Sequence, residues 1–322
     1  MQRIAIIGAG LIGRSWAIVF SRAGWEVALH DVAAEATDRA LAMVADGLAE
    51  LHQHGLVDDA KTAAKRVRIA SSLADALDGA SYVQENTSET LEAKRAIFAE
   101  LDHLAAPDAV LASSTSTIIA SLFTEKLKDR HRCLVAHPVN PPHLVPLVEL
   151  VGAPWTSPET IARAKKIYKQ VEQVPIVVKR EIEGFVLNRL QACLLSEAFR
   201  LVGDDYVSPQ DLDKTLKEGL GLRWSFMGPF ETIELNAPGG ISDYCKRYGA
   251  SLGRLSSANP KIYGGSNLTH ILTEWGQTPT SARIAERMAW RDKRLAALKS
   301  HKGLNQLRDI PTPAGSAKGR YS

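Results

Sequence analysis

A β-branched run, Arg3 to Ile7, leads without interruption into Gly8-Ala9-Gly10-Leu11-Ile12-Gly13, and an apolar helical pattern follows at once. Few folds accept three glycines at this spacing between a strand and a helix. Gly8 permits a tight turn, Gly10 lets the backbone approach a pyrophosphate, and Gly13 lets the helix pack closely on the sheet. The opening amides of that helix, at Leu11, Ile12 and Gly13, are then available to a phosphate. A second strand, Glu26 to His30, ends at Asp31, eighteen residues beyond Gly13. A carboxylate there can accept hydrogen bonds from both ribose hydroxyls and repels a 2′-phosphate. The order of strand, glycines, helix, strand and acid predicts a dinucleotide site and favours NAD over NADP. Flavin nucleotides use the same fingerprint, so chemistry further along the chain has to separate the two.

The pattern continues with strand-like runs at Val67–Ala70, Tyr82–Gln84, Val110–Ser113 and Cys133–Ala136, separated by longer amphipathic segments. Short apolar runs alternating with helical periodicity predict a parallel sheet wrapped by helices. About thirty-five residues lie between Asp31 and Val67, too many for one short crossover helix. A long helix plus a second piece, projecting from the sheet, is expected there. Runs at Leu147–Val151 and Ile176–Val178 flank a helix opened by Ser157-Pro158-Glu159, where the serine caps amides and the proline fits the first helical position. Beyond residue 180 the texture becomes helical. Phe185, Leu187, Leu190, Leu194, Ala198 and Leu201 recur at three- and four-residue steps, and Ser208-Pro209-Gln210-Asp211 caps a further helix. The fold expected is an α/β Rossmann-like, doubly wound domain over 1–181 and an all-α domain over 182–302. The proline- and glycine-bearing segment 303–322 is expected to be a flexible tail.

Composition narrows the function. A net charge of +3 over 322 residues provides no field for collecting nucleic-acid phosphates. No apolar run reaches the roughly 18 residues of a membrane span, and no leader precedes the first strand, so a soluble, cytoplasmic protein is expected. Cys133, Cys193 and Cys245 are far apart and odd in number, which argues against a metal-ligand set or a disulfide framework.

His137-Pro138-Val139-Asn140-Pro141-Pro142 follows the sixth strand, and Glu149 lies in the next apolar run. A carboxylate on one imidazole nitrogen fixes the tautomer and leaves the other nitrogen able to take a proton, as alcohol oxidation by hydride transfer requires. By itself, His137 reads more simply as a hydrogen-bonded histidine at a strand end. Ser116 reads equally as a turn residue, while Asn188, set among apolar helix positions, needs partners if buried. Lys94 reads equally as part of a solvated helix face, and Glu89 reads rather more readily as one.

The dispersed motifs change that weighting. Gly8 through Trp16, Ser113-Ser114-Thr115-Ser116, His137 through Pro142 with Pro146-Leu147-Val148-Glu149-Leu150, Gly184-Phe185-Val186-Leu187-Asn188-Arg189-Leu190 and Gly219-Leu220-Gly221-Leu222-Arg223 occur in this order. From Arg3 to about Lys302 the chain resembles the L-3-hydroxyacyl-CoA dehydrogenase superfamily, most closely its lambda-crystallin / L-gulonate 3-dehydrogenase branch. Trp290-Arg291-Asp292 also looks like that branch. The resemblance implies NAD as cofactor, His137 as general base, and Glu149 as the carboxylate that orients it. Ser116 and Asn188 match the residues that hold the reacting oxygen. Glu85, Glu89 and Lys94 match the stretch beside the nicotinamide, and a homodimer through the helical domain is implied.

The substrate divides the superfamily. His137 through Pro142 lacks the aromatic-rich turn usual in acyl-CoA enzymes. Asn140 in that turn is assigned to the substrate. Arg223 can hold a substrate carboxylate in bidentate fashion, or equally form an interdomain salt bridge. The expected reaction is NAD-dependent oxidation of a small L-3-hydroxy acid, with L-gulonate to 3-dehydro-L-gulonate its most specific form. L-3-Hydroxyacyl-CoA oxidation and a carnitine-type hydroxy acid are the alternatives. Outside enzymology stand a structural, crystallin-like use and a nucleotide sensor without turnover.

Overall fold

The computed structural model describes residues 2–255 except Phe226 and Gly239, together with Ala289, Asp292, Lys293, residues 296–298, Ser300 and His301. Trp290, Arg291 and the expected tail over 303–322 lie outside the described residues. The chain divides into two compact units, one over residues 1–186 with the segment from 285 onward, the other over 187–284.

The first unit is built on strands β1 (Arg3–Ile7), β2 (Glu26–His30), β3 (Val67–Ile69), β4 (Tyr82–Glu85), β5 (Val110–Ser113), β6 (Cys133–Pro138), β7 (Leu147–Gly152) and β8 (Val174–Val178). They form one eight-stranded sheet in the order β3-β2-β1-β4-β5-β6-β7-β8. Successive side chains of a strand point to opposite faces, and both faces are covered. Ile4 and Ile6 join one core with Trp16, Phe20, Leu48 and Tyr168. Ala5 and Ile7 join another with Leu77, Phe98, Leu101 and Phe123. Burial on both sides explains why β1 is apolar from Ile4 to Ile7 rather than alternating.

The first core is roofed by α1 (Leu11–Arg22), α2 (Ala34–Gln53) and α3 (Ala60–Lys65), the second by α4 (Leu73–Leu77), α5 (Leu91–Leu104) and α6 (Ala120–Thr124). The long connection after β2 is a long helix and a short one, as expected. It does not project: Ala40, Val44, Leu48 and Leu51 of α2 are buried in the same core as α1. Further along, α7 (Pro158–Gln170) starts where the sequence placed it, with Ser157 Oγ accepting from the Thr160 amide.

The sheet departs from a wholly parallel reading at one place. β7 runs antiparallel to β6, because only residues 139–146 connect them and a parallel crossover needs a dozen or more. Leu144 N and Val145 N both donate to Pro141 O and close this hairpin connection. The register sets His137 directly opposite Glu149.

The second unit, as far as it is described, is helical: α8 (Leu187–Gly203), α9 (Pro209–Thr215), a π-turn over Leu216–Leu220, α10 (Gly221–Trp224), α11 (Pro229–Leu235) and α12 (Gly240–Leu255). Phe185, counted in the sequence as part of the α8 stripe, is not helical. It sits in a left-handed turn before the helix and is buried in the first unit. Leu190 of the same stripe is 64% exposed. Of the described residues after 285, Ala296 is buried in the first core. Among the described residues no helix is long and apolar enough to cross a membrane.

Candidate active site

The glycine turn carries out the geometry its sequence promised. Gly8 has φ +97°, and a Cβ there would stand 2.6 Å from Asn86 O. At Gly13 a Cβ would fall 1.9 Å from Gly8 O, so helix and turn can approach only with hydrogen at that position. The space beside Gly10 is open. No side chain caps α1, which leaves the helix-opening amides of Leu11, Ile12 and Gly13 for an anion. Asp31 stands at the end of β2, with Oδ2 accepting from Ala9 N at 2.7 Å and Oδ1 from Ala33 N at 3.0 Å. It thereby ties the glycine turn to the end of the second strand.

These groups border a cleft of about 360 Å³ that Gly8, Gly10 and Asp31 line together with Asn86, Thr87 and Ile97. An open glycine side, uncapped helix amides and an acid at the second strand fit a dinucleotide. The last three lining residues were missed by sequence reasoning, which had no signal for Asn86 and Thr87 in the loop after β4 beyond its position, nor for Ile97 on α5. That loop is held from beneath by a polar network. Ser114 Oγ donates to Asn86 Oδ1 at 2.7 Å and accepts from Gln84 Nε2 and Trp16 Nε1. Tyr168 OH in turn donates to Gln84 Oε1 at 2.5 Å. Burial pushes the Tyr168 phenol well above its ordinary pKa, so it remains a donor.

Glu85, Glu89 and Lys94 do come together, but not on a solvated helix face. Lys94 is buried, and its Nζ lies 2.8 Å from Glu85 Oε1 and 3.1 Å from Thr87 O. The same Glu85 oxygen accepts from Thr87 N and Oγ1, and Oε2 accepts from Ser113 Oγ at 2.6 Å. Glu89 Oε1 accepts from Thr115 Oγ1 at 2.6 Å and from Ser116 N at 2.7 Å. The pair of acids thus fastens the end of β4 to the end of β5 and fixes the backbone that carries Ser116.

On the neighbouring strand, His137 Nδ1 lies 2.8 Å from Glu149 Oε2, with both side chains buried. Directly opposed residues of an antiparallel pair have Cβ atoms about 5 Å apart, so a glutamate reaches a histidine without strain. An ionised carboxylate only accepts, which assigns a proton to Nδ1 and leaves Nε2 as the ring nitrogen outside that bond. Glu149 Oε1 accepts from Val186 N at 2.9 Å. Asp31, Glu85, Ser116 and His137 all follow or end strands at the carboxyl edge of the sheet, where open α/β sheets bind ligands. Asn140 is exposed in the hairpin connection. Asn188 is half-buried in the first turn of α8, and Arg223 is exposed on α10. Both belong to the second unit.

A dinucleotide cradle and an acid-oriented histidine along one sheet edge are the equipment of an NAD-dependent dehydrogenase, and comparison with known proteins places the chain in that class. The profile described as 3-hydroxyacyl-CoA dehydrogenase, NAD binding domain, matches residues 3–182, and that of the 3-hydroxyacyl-CoA dehydrogenase C-terminal domain matches residues 184–277. The chain belongs to the 3-hydroxyacyl-CoA dehydrogenase family. Lambda-crystallin of the rabbit, Oryctolagus cuniculus, is 40% identical over 306 residues, covering 92% of this chain and 96% of the relative. An L-carnitine dehydrogenase of Bacillus cereus is 35% identical, over 73% of this chain and 72% of its own. Among solved structures, a 5-formyl-3-hydroxy-2-methylpyridine 4-carboxylic acid 5-dehydrogenase, described as an NAD+-dependent dismutase, superposes with a TM-score of 0.81 at 28% identity, covering 93% of this chain and 97% of that one.

Proposed function

We propose that the protein oxidises the 3-hydroxyl of a small L-3-hydroxy acid, in its most specific form L-gulonate to 3-dehydro-L-gulonate, with His137 as general base. The observation that carries the reading is the buried His137–Glu149 hydrogen bond at the sheet edge that also bears the glycine cradle. Glu149 holds Nδ1–H and the ring plane, so Nε2 takes the hydroxyl proton as the alcohol is oxidised and returns it in reduction. Bound NAD supplies the hydride acceptor. Ser116 and Asn188 contribute a hydroxyl and an amide to the reacting oxygen, donors that bring no competing base. Glu85, Glu89 and Lys94 act at the cofactor's nicotinamide side by fixing the loops after β4 and β5.

A free acid is favoured by the turn from His137 to Pro142, which lacks aromatic residues. It is favoured also by Arg223, exposed where a guanidinium has room to take a carboxylate in bidentate fashion, with Asn140 meeting the remainder of the substrate. A carnitine-type acid is the second reading, favoured by the L-carnitine dehydrogenase relative. An L-3-hydroxyacyl-CoA is the third, favoured by a Gibberella moniliformis relative named 3-hydroxyacyl-CoA dehydrogenase at 39% identity. With His137, Glu149, Ser116 and Asn188 all present, turnover is expected rather than a purely structural role. The apolar residues exposed on α8, Leu190, Leu194 and Leu195, suit a homodimer face, and the three unpaired cysteines suit a reducing cytoplasm.

Steady-state formation of reduced nicotinamide with L-gulonate, L-carnitine and an L-3-hydroxyacyl-CoA decides the substrate. Gulonate is expected to give the highest kcat/KM. A preference of hundreds-fold for the thioester would discard the free-acid reading.

A further inference from the structure

Glu149 has two oxygens, and the chemistry just described uses one of them. The other, Oε1, accepts the Val186 amide at 2.9 Å. That amide is aimed by an unusual turn: Gly184 has φ 72° and Phe185 has φ 49°, a left-handed conformation that bulky L-residues rarely adopt. Phe185 is wholly buried, and its ring centroid lies 5.4 Å from that of His137 at an interplanar angle of 50°. The turn is itself anchored. Phe185 N donates to Ile182 O at 3.1 Å, and Glu181 Oε1 accepts from Ser121 N at 2.8 Å.

We propose that Phe185 is a positioning residue for the His137 imidazole, acting through both of its contacts. Its ring closes one side of the imidazole. Its left-handed backbone delivers the Val186 N–H that stops the Glu149 carboxylate from rotating. This rests on the reading of His137 as the base. The energetic logic is that of a site holding one orientation: a buried carboxylate with both oxygens assigned cannot turn away, and an imidazole walled by a buried ring cannot swing about its single hydrogen bond. Val186 is 40% exposed, and what it gives Glu149 is its amide. Leucine at 185 retains apolar volume and loses the flat wall. Glycine at 185 keeps the left-handed turn at no steric cost and removes the wall altogether.

The test uses the full chain carrying Phe185→Leu or Phe185→Gly, read in three ways: kcat and KM with the best hydroxy acid, NAD affinity by calorimetry, and the downfield proton resonance of the His137 Nδ1–H. That resonance is identified by its absence in His137→Asn. The expected result is a kcat lowered about tenfold to a hundredfold, more in Phe185→Gly than in Phe185→Leu. NAD affinity stays within twofold, and the downfield resonance is broadened by exchange. Wild-type kcat with an intact resonance in either folded variant would overturn the proposal. So would a loss of NAD affinity that accounts for the whole kinetic effect. Should Phe185→Gly fail to fold, Phe185→Leu alone decides. His137→Asn separates this proposal from the one beneath it. An active His137→Asn enzyme removes the general base itself, whereas an inactive one beside unimpaired Phe185 variants removes only the positioning role.

Discussion

Replacing Lys94 by methionine separates two parts that the residue can play. Its ammonium and the Glu85 carboxylate are 1% and 0% exposed, 2.8 Å apart, so deleting the cation leaves a charge buried without its counter-ion. Breaking such a pair from one side costs about 3–5 kcal/mol. Methionine fills the length of the lysine stem, so little cavity is added. Three donors remain on Glu85, from Thr87 N, Thr87 Oγ1 and Ser113 Oγ, which puts the cost at the lower end, about 3 kcal/mol. For a unit of this size each kcal/mol moves Tm by about 2–4 °C, so the protein without NAD should melt roughly 10 °C lower. In the double variant Glu85→Gln/Lys94→Met the stranded charge is gone, and at least half of the loss should return. Differential scanning calorimetry without cofactor gives the melting temperatures, and titration calorimetry gives NAD affinity separately. An unchanged Tm with NAD binding abolished would refute the structural argument and show Lys94 acting by direct contact with the cofactor.

Asp31→Ser removes a carboxylate that holds the Ala9 and Ala33 amides. Titration should show NAD binding weakened about tenfold or more and the NAD/NADP preference narrowed; an unchanged ratio would mean that another residue reads the ribose. Burial pushes the Cys133 thiol well above its ordinary pKa, so a thiol reagent on the native protein at pH 8 should spare it. Cys133→Ser should therefore leave the number of labelled thiols unchanged, and a drop by one would contradict the central placement of β6.

Much of the first unit was legible because its strands and its glycine turn obey local rules. β1, β2 and β5 span the residues that apolar patterning marked, and Ser157 caps its helix as the Ser-Pro pair foretold, as Ser208 does in the second unit. What the pattern could not show was direction. The reversal at β7 was available only from the shortness of 139–146, and with it the pairing of His137 opposite Glu149. Lys94 looks like a surface helix residue because its neighbours Glu92 and Arg95 are charged and exposed. Its burial depends on a glutamate nine residues earlier on another element, and no local periodicity reports that. Phe185 fell in phase with the α8 stripe, yet a left-handed pair of residues takes it out of the helix, and positive φ at a phenylalanine has no sequence signature.

The most direct test is single-turnover oxidation by His137→Asn in the presence of saturating NAD. The imidazole's role as proton acceptor predicts a rate lowered about a hundredfold to ten-thousandfold with NAD affinity unchanged, because the base acts in the transition state. A folded His137→Asn enzyme that turns over within a few-fold of the wild-type rate would contradict it.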